Sequence, residues 1–177
     1  MPKLTKLLTS ALLSFSAAAL VSGAVFAADE YVTKHTLSSS SVDNKEIRWD
    51  GYTRYETAWS FAVKLWNDQG RVNIAKDTLA QIEDLTLFDF HYPSETFTAI
   101  WVPKTGADEI HFNIDNMEKP GRTDNHNKKT ASHELGHALG VGDHYEDTYS
   151  TQIMYGFASS TTTLRTHEIS DYRSKNP

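Results

Sequence analysis

A chain of 177 residues, 39% of them apolar, is long enough to bury one sizeable hydrophobic core. Its formal net charge of −6 argues against the strongly basic surface that binding to duplex nucleic acid requires, so no nucleic-acid partner is expected. Because the sequence contains no cysteine, disulfide bonds and thiol catalysis are excluded, and stability must come from the core and from any bound metal.

Residues 1–27 have the pattern of a secretory signal peptide. Lys3 and Lys6 precede an apolar run, and the run ends at Val25-Phe26-Ala27, which fits a cleavage site. A transmembrane anchor is the alternative, since residues 7–26 are nearly long enough to span a bilayer, but small residues and serines favour cleavage. Cleavage leaves a formal charge of −8, and we expect a secreted protein without stable membrane insertion.

The next segments predict a leader, a strand and a helix. Residues 28–44 are polar and serine-rich, which indicates a flexible leader or short pro-segment before one domain at residues 45–177. Residues 46–50 alternate as a strand does. Thr53 and Glu56 have the spacing of a capping box, and Gly70 supplies a stop signal for the helix that follows. The apolar face predicted for this helix comprises Ala58, Phe61, Ala62, Leu65 and Trp66.

The middle of the chain changes to the period of a β-sheet. Residues 72–76, 85–92, 96–103 and 109–115 are rich in β-branched and aromatic residues, and they predict strands of one mixed sheet. A polar loop at 116–127, a helix at 128–139, an irregular loop and a closing helix at 166–175 follow. This order of elements predicts an α+β fold.

The stretch HELGHALGVGDHY, residues 133–145, predicts a metal site. His133 and His137 are four residues apart and therefore lie on one face of the helix, where both imidazoles can bind one ion. Glu134 borders such a site and can hold a metal-bound water.

The third ligand has to come from the loop that follows this helix. Gly140 lets the chain leave the helix and turn back, so that Asp143, six residues after His137, can reach the same ion. His144 is the alternative third ligand, because carboxylate oxygen and imidazole nitrogen bind zinc at similar distances.

This run resembles the metzincin metallopeptidases, whose pattern is H-E-x-x-H-x-x-G-x-x-H followed by a methionine-containing turn. Asp143 stands where most of that family has histidine, as in the small secreted snapalysin-type proteases among the matrixin-like members. The resemblance favours Asp143 as ligand and implies Zn²⁺, Glu134 as general base and Met154 as support in the Met-turn. It also implies a twisted mixed sheet with a backing helix, a substrate-binding edge strand at residues 96–103, and a C-terminal helix after the Met-turn.

The resulting hypothesis is a secreted, monomeric zinc endopeptidase that acts on polypeptides. One alternative is a secreted metal-binding or adhesion domain without turnover, and another is a zinc hydrolase of small amide or cell-wall substrates. A structural Ca²⁺ is a further hypothesis, because oxygen-rich loops suit this ion and the loop before the active helix carries Asp115, Asn116 and Asp124. Other histidines lack ligand spacing and are expected to be structural or solvated, namely His91, His111, His126 and His167.

Overall fold

The computed structural model describes residues 34–78 and 82–177, so the signal-peptide prediction lies outside the described residues. In the described part of the chain, no helix has the length and apolar character needed to cross a bilayer. The elements are β1 (Glu46–Gly51), α1 (Glu56–Asn67), β2 (Asn73–Lys76), β3 (Leu85–Phe90), β4 (Ala99–Val102), β5 (Asp108–Asn113), α2 (Ile114–Met117), α3 (Asp124–Ala138) and α4 (Thr166–Lys175). The predicted α+β class is confirmed.

The strands form the mixed sheet that the sequence predicts. Their order is β2-β1-β3-β5-β4, with β4 antiparallel to β5 and the other neighbours parallel. Alternate side chains of the central strands are buried on one face, among them Leu85 and Leu87 of β3 and Ile110 and Phe112 of β5. Because β4 is the last strand in this order, it lies at an edge of the sheet, next to α3.

The helix α1 packs against α3 and against β2 of the sheet. Its buried residues are Ala58, Trp59, Ala62 and Trp66, so the predicted face is right for three positions, while Phe61 and Leu65 are only half-buried. The indole Nε1 of Trp66 donates to the carbonyl oxygen of Ser132 at 2.8 Å. This buried bond joins α1 to α3 directly.

The predicted capping box at the start of α1 is wrong. The hydroxyl of Thr53 donates to Oδ1 of Asp89 at 2.7 Å and accepts the Tyr55 N–H at 3.2 Å. The helix begins only at Glu56. The N-cap position is therefore Tyr55 and not Thr53, and no side chain caps the first turn.

The region before α3 is more ordered than the sequence indicates. The predicted loop at 116–127 begins within the short helix α2 and ends in the first turn of α3, which starts at Asp124 and not at residue 128. At that start, the N–H of Thr123 donates to Nδ1 of His126 at 3.1 Å. This local bond satisfies a backbone donor beside the first turn, so the helix can begin one turn earlier.

The described part of the predicted leader, residues 34–44, packs against the domain. The N–H of Leu37 donates to the Gly140 carbonyl at 2.8 Å, and that of Ser41 donates to the Ala138 carbonyl at 2.7 Å. In return, the N–H of Gly142 donates to the His35 carbonyl at 2.8 Å. This segment thus satisfies backbone groups at the end of α3, whereas its role as a pro-segment stays a prediction.

Replacing Tyr172 with phenylalanine should destabilise the fold. Its hydroxyl accepts the buried N–H of Val72 at 2.9 Å and so fastens α4 to the start of β2. Because Tyr172→Phe leaves this N–H without an acceptor, we expect a loss of about 1–3 kcal/mol in the free energy of unfolding by denaturant titration. The matched control is Tyr52→Phe at an exposed site, where the change should stay within about 0.5 kcal/mol. Equal effects at both positions would contradict this account.

Candidate metal centre

The helix α3 presents two histidines to one point. His133 and His137 are one turn apart, and their Nε2 atoms lie 3.1 Å from each other. Both side chains are largely buried, with 11% and 13% exposed.

The helix ends in a way that returns the chain to these histidines. Gly140 has φ +85°, the left-handed conformation that glycine adopts without strain. Its N–H donates to the His137 carbonyl, and the N–H of Val141 donates to the Gly136 carbonyl, which is the Schellman arrangement. The turn brings Oδ1 of Asp143 to 3.1 Å from Nε2 of His133 and 3.7 Å from Nε2 of His137.

The hydrogen bonds of the two imidazoles orient their rings. Nδ1 of His133 lies 2.9 Å from the Ile153 carbonyl oxygen, and Nδ1 of His137 lies 2.9 Å from that of Val141. A carbonyl oxygen can only accept, so each Nδ1 acts as the donor and each Nε2 faces Asp143. Such backbone partners are typical of metal-ligating histidines.

Three atoms that can ligate a metal thus face one another. Oδ1 of Asp143 is buried and has no hydrogen-bond partner. A tetrahedral zinc ion with ligands at about 2.0–2.1 Å holds them about 3.3–3.4 Å apart, close to the separations of 3.1–3.7 Å among these three atoms. The donor set therefore fits a zinc-like cation.

The charge states of the ligands suit a cation as well. Burial lowers the pKa of His133, and the neighbouring charge of Lys129 lowers it further, so the imidazole stays neutral. The Tyr145 hydroxyl donates to Oδ2 of Asp143 at 2.9 Å, which favours the ionised form of this carboxyl group. The carboxylate is consequently ionised.

The alternative ligand, His144, points away from this centre. Its ring is fully buried on the other side of the loop, where Nδ1 lies 2.7 Å from Oε1 of Gln152 and Nε2 lies 3.2 Å from Oδ2 of Asp171. Among the described residues, the group that gathers around His133 and His137 includes Asp143 and not His144.

Glu134 lies beside the ligands at the floor of an open cleft. Its carboxylate is 6% exposed, and Oε2 accepts the backbone N–H of Trp101 at 2.8 Å. The cleft has a volume of about 500 Å³ and is bounded by β4 on one side and by Phe157 to Ser159 on the other. The carboxylate thus joins the helix that carries the histidines to the edge strand.

Met154 lies beneath the helix α3. It is fully buried, and its sulfur occupies the space in which a Cβ on Gly136 would stand. Its N–H donates to Oε1 of Glu168 at 2.6 Å, and its carbonyl accepts the N–H of His144 at 2.8 Å. The segment that supplies the Ile153 carbonyl to His133 is therefore held by Glu168, by His144 and by packing against Gly136.

Two residues that the sequence did not single out belong to this site. The buried ammonium of Lys129 donates to the carbonyls of Tyr155 and Phe157 at 2.7 and 3.3 Å, and burial lowers its pKa to about 8. Its position four residues before His133 on α3 was the available signal. The hydroxyl of Tyr145 donates to Oδ2 of Asp143 at 2.9 Å, a contact that only the loop geometry reveals.

The residues of the calcium hypothesis have other partners. Oδ1 of Asp115 lies 3.2 Å from Nδ1 of the exposed His91, and the amide nitrogen of Asn116 donates to two loop carbonyls. Neither of the metal-ligand groups in the described chain includes Asp115 or Asp124. The hypothesis gains no support from these contacts.

Gly136→Ala should destabilise the protein, because the new methyl group would collide with the buried Met154 side chain. We expect a net loss of about 1–3 kcal/mol in the free energy of unfolding, although alanine is the better helix former. In a Met154→Ala background the penalty should shrink or disappear, which a double-mutant cycle measures. Gly106→Ala, in open space, is the control. An unchanged penalty in the Met154→Ala background would refute the contact.

No model of a known protein family matches this sequence, and no curated protein matches it. The likeness to the metzincin pattern therefore rests on the motif residues alone. The chemistry available to the site follows from its atoms: two imidazoles, one carboxylate and an adjacent glutamate at an open cleft.

Proposed function

We propose that this chain is a zinc-dependent endopeptidase that hydrolyses extended polypeptides. The observation that carries the proposal is the convergence of three ligand atoms, from His133, His137 and Asp143, at the floor of an open cleft. Glu134 stands next to them, and a purely structural metal site would not need a carboxylate in that position. This favours an enzyme over a metal-binding or adhesion domain.

The roles of the residues follow from their geometry. A zinc ion held by His133, His137 and Asp143 would supply Lewis acidity to a scissile carbonyl and lower the pKa of a water molecule. Since Oε2 of Glu134 is engaged by the Trp101 N–H, Oε1 is the oxygen available to take a proton from the attacking water. Glu134 then delivers this proton to the departing amine, and no covalent intermediate forms between enzyme and substrate.

The edge strand supports a polypeptide as substrate. Backbone groups alternate along a strand, and the Trp101 N–H of β4 points away from β5, toward α3. The backbone groups of Ala99, two residues earlier, point to the same open side of the sheet. An extended peptide can add to such an edge through main-chain hydrogen bonds, largely independent of its sequence.

The broader assignment joins this site to the sequence pattern. The Asp143 ligand and the buried Met154 under α3 are what a metzincin-like catalytic domain of the snapalysin type would have, with α1 as backing helix and α4 as closing helix. The pattern of residues 1–27 supports secretion. We propose that the enzyme works as a secreted monomer.

Glu134→Ala should abolish hydrolysis and leave zinc binding intact. Without the proton acceptor, cleavage of an unstructured protein such as casein should fall by at least about 10²–10⁴-fold. The matched control is Glu83→Ala, at an exposed position, which should keep wild-type activity and zinc. Wild-type cleavage of small amides but no polypeptide would favour the small-substrate hydrolase. A wild type that cleaves no substrate would favour the binding domain.

Asp143→Ala should remove zinc from this centre. Loss of a direct ligand should weaken zinc binding by more than the roughly 10–100-fold that loss of a supporting residue costs. The purified variant should therefore carry one zinc equivalent fewer than wild type by elemental analysis and should lose casein hydrolysis. Asp50→Ala, at an exposed position of β1, is the control. Full zinc content and activity in Asp143→Ala would exclude Asp143 as a ligand.

A further inference from the structure

A second cluster of metal-ligating side chains lies on the far side of the Asp143 loop. It consists of His35, His144, His167 and Asp171, and we call it the three-histidine cluster. The four residues come from three separate parts of the chain: the segment at 34–44, the loop after α3, and the helix α4. Such a convergence of residues far apart in sequence cannot be a by-product of local helix spacing.

The ligand atoms surround one carboxylate oxygen. Oδ2 of Asp171 lies 3.2 Å from Nε2 of His144, 3.4 Å from Nε2 of His167 and 4.0 Å from Nδ1 of His35. All four ligand atoms lie within 4.8 Å of one another. Two of these distances match the ligand spacing of about 3.3–3.4 Å around tetrahedral zinc, and a small rotation of His35 would bring the third into range.

The hydrogen bond of His144 orients its ring toward Asp171. Its Nδ1 lies 2.7 Å from Oε1 of Gln152, and its Nε2 therefore faces the carboxylate, 3.2 Å from Oδ2 of Asp171. The imidazole nitrogen and the carboxylate oxygen are thus placed as two ligands of one cation.

Burial makes a carboxylate without a compensating charge unfavourable. The side chains of His144 and Asp171 are fully buried, and neither Oδ1 of Asp171 nor Nδ1 of His35 has a hydrogen-bond partner. The ion-pair partners that the structure gives Asp171 are all histidines. A buried carboxylate needs a compensating charge, and no lysine or arginine supplies one among these pairs.

An aromatic ring covers part of the cluster. The ring of Tyr149 packs over it, with its centroid 4.6 Å from that of His167, 5.0 Å from that of His144 and 6.0 Å from that of His35. Four protein ligands under an aromatic lid leave no open coordination position, which is the character of a structural zinc site and not of a catalytic one.

We propose that the three-histidine cluster is a second zinc site, which fastens the segment at 34–44 to α4 and to the loop that supplies Asp143. His35 is the ligand contributed by that segment, and His144 follows Asp143 directly in sequence. The ion would therefore stabilise the loop conformation on which the first centre depends. This proposal stands independently of the proteolytic function, since none of its ligands belongs to the first centre.

Zinc counting by elemental analysis tests the proposal, in a Glu134→Ala background that prevents self-cleavage. The parent protein should bind two equivalents, whereas His35→Ala and His167→Ala should each bind about one. The pair His133→Ala/His137→Ala, which removes ligands of the first centre, should also bind one, and adding His167→Ala to this pair should leave none. The control is His91→Ala, at an exposed position outside both groups, which should keep two.

Cobalt substitution gives a second readout that does not depend on activity. In the His133→Ala/His137→Ala protein, Co²⁺ should produce the intense visible bands of a four-coordinate site, and His35→Ala should abolish or strongly weaken them. Because His35 lies in a peripheral segment, this variant should keep the wild-type circular dichroism spectrum, so that loss of the bands cannot be attributed to unfolding.

Two results would overturn the second site. One is a His133→Ala/His137→Ala protein that is folded and binds no zinc, in which case Asp171 is paired with a protonated His144. The other is full retention of zinc and cobalt bands in both His35→Ala and His167→Ala. Failure of the proposed function would give a different result. The zinc of the second site would still be lost in His167→Ala, whereas His133→Ala/His137→Ala would bind as much zinc as the parent protein.

Discussion

The structure around the cleft depends on one electrostatic constraint, the close approach of three side-chain atoms that can ligate a metal. Two of them belong to imidazoles whose other nitrogens are tied to backbone carbonyls, and the third belongs to the Asp143 carboxylate. Bringing these atoms within 3.1–3.7 Å is unfavourable unless a cation offsets the repulsion. The rest of the fold acts to keep the atoms there, because each would otherwise move away from the others.

Several elements of the fold hold these three atoms together. The left-handed turn at Gly140 reverses the chain after α3, and the segment around Met154 supplies both a carbonyl for His133 and a backbone pairing for His144. Glu168 of α4 accepts the N–H of Met154, so the C-terminal helix reaches His133 through Met154 and Ile153. The floor of the cleft and the closing helix are thus parts of one hydrogen-bonded unit, even though about 30 residues separate them in sequence.

Local patterns in the sequence were sufficient to predict the strands, the two long helices and the grouping of His133, His137 and Asp143. Helical spacing predicts the meeting of His133 and His137, since four residues make about one turn. Contacts over long sequence distances were not predictable in this way. Thr53 bonds to Asp89 instead of capping α1, and His167, expected to be structural or solvated, lies beside His144 and His35. Each depends on a partner more than 20 residues away, which no periodicity encodes.

The hydrogen bond from the Trp101 N–H to Glu134 would have a consequence for the proposed hydrolysis. It joins one wall of the cleft to its floor, and a carboxylate acceptor makes it strong. If Glu134 takes up a proton from the attacking water, the acceptor becomes neutral and the bond weakens to roughly half its strength. The wall would then be least restrained between water attack and proton delivery to the amine, and the bond would regain its strength before the cleaved fragments depart.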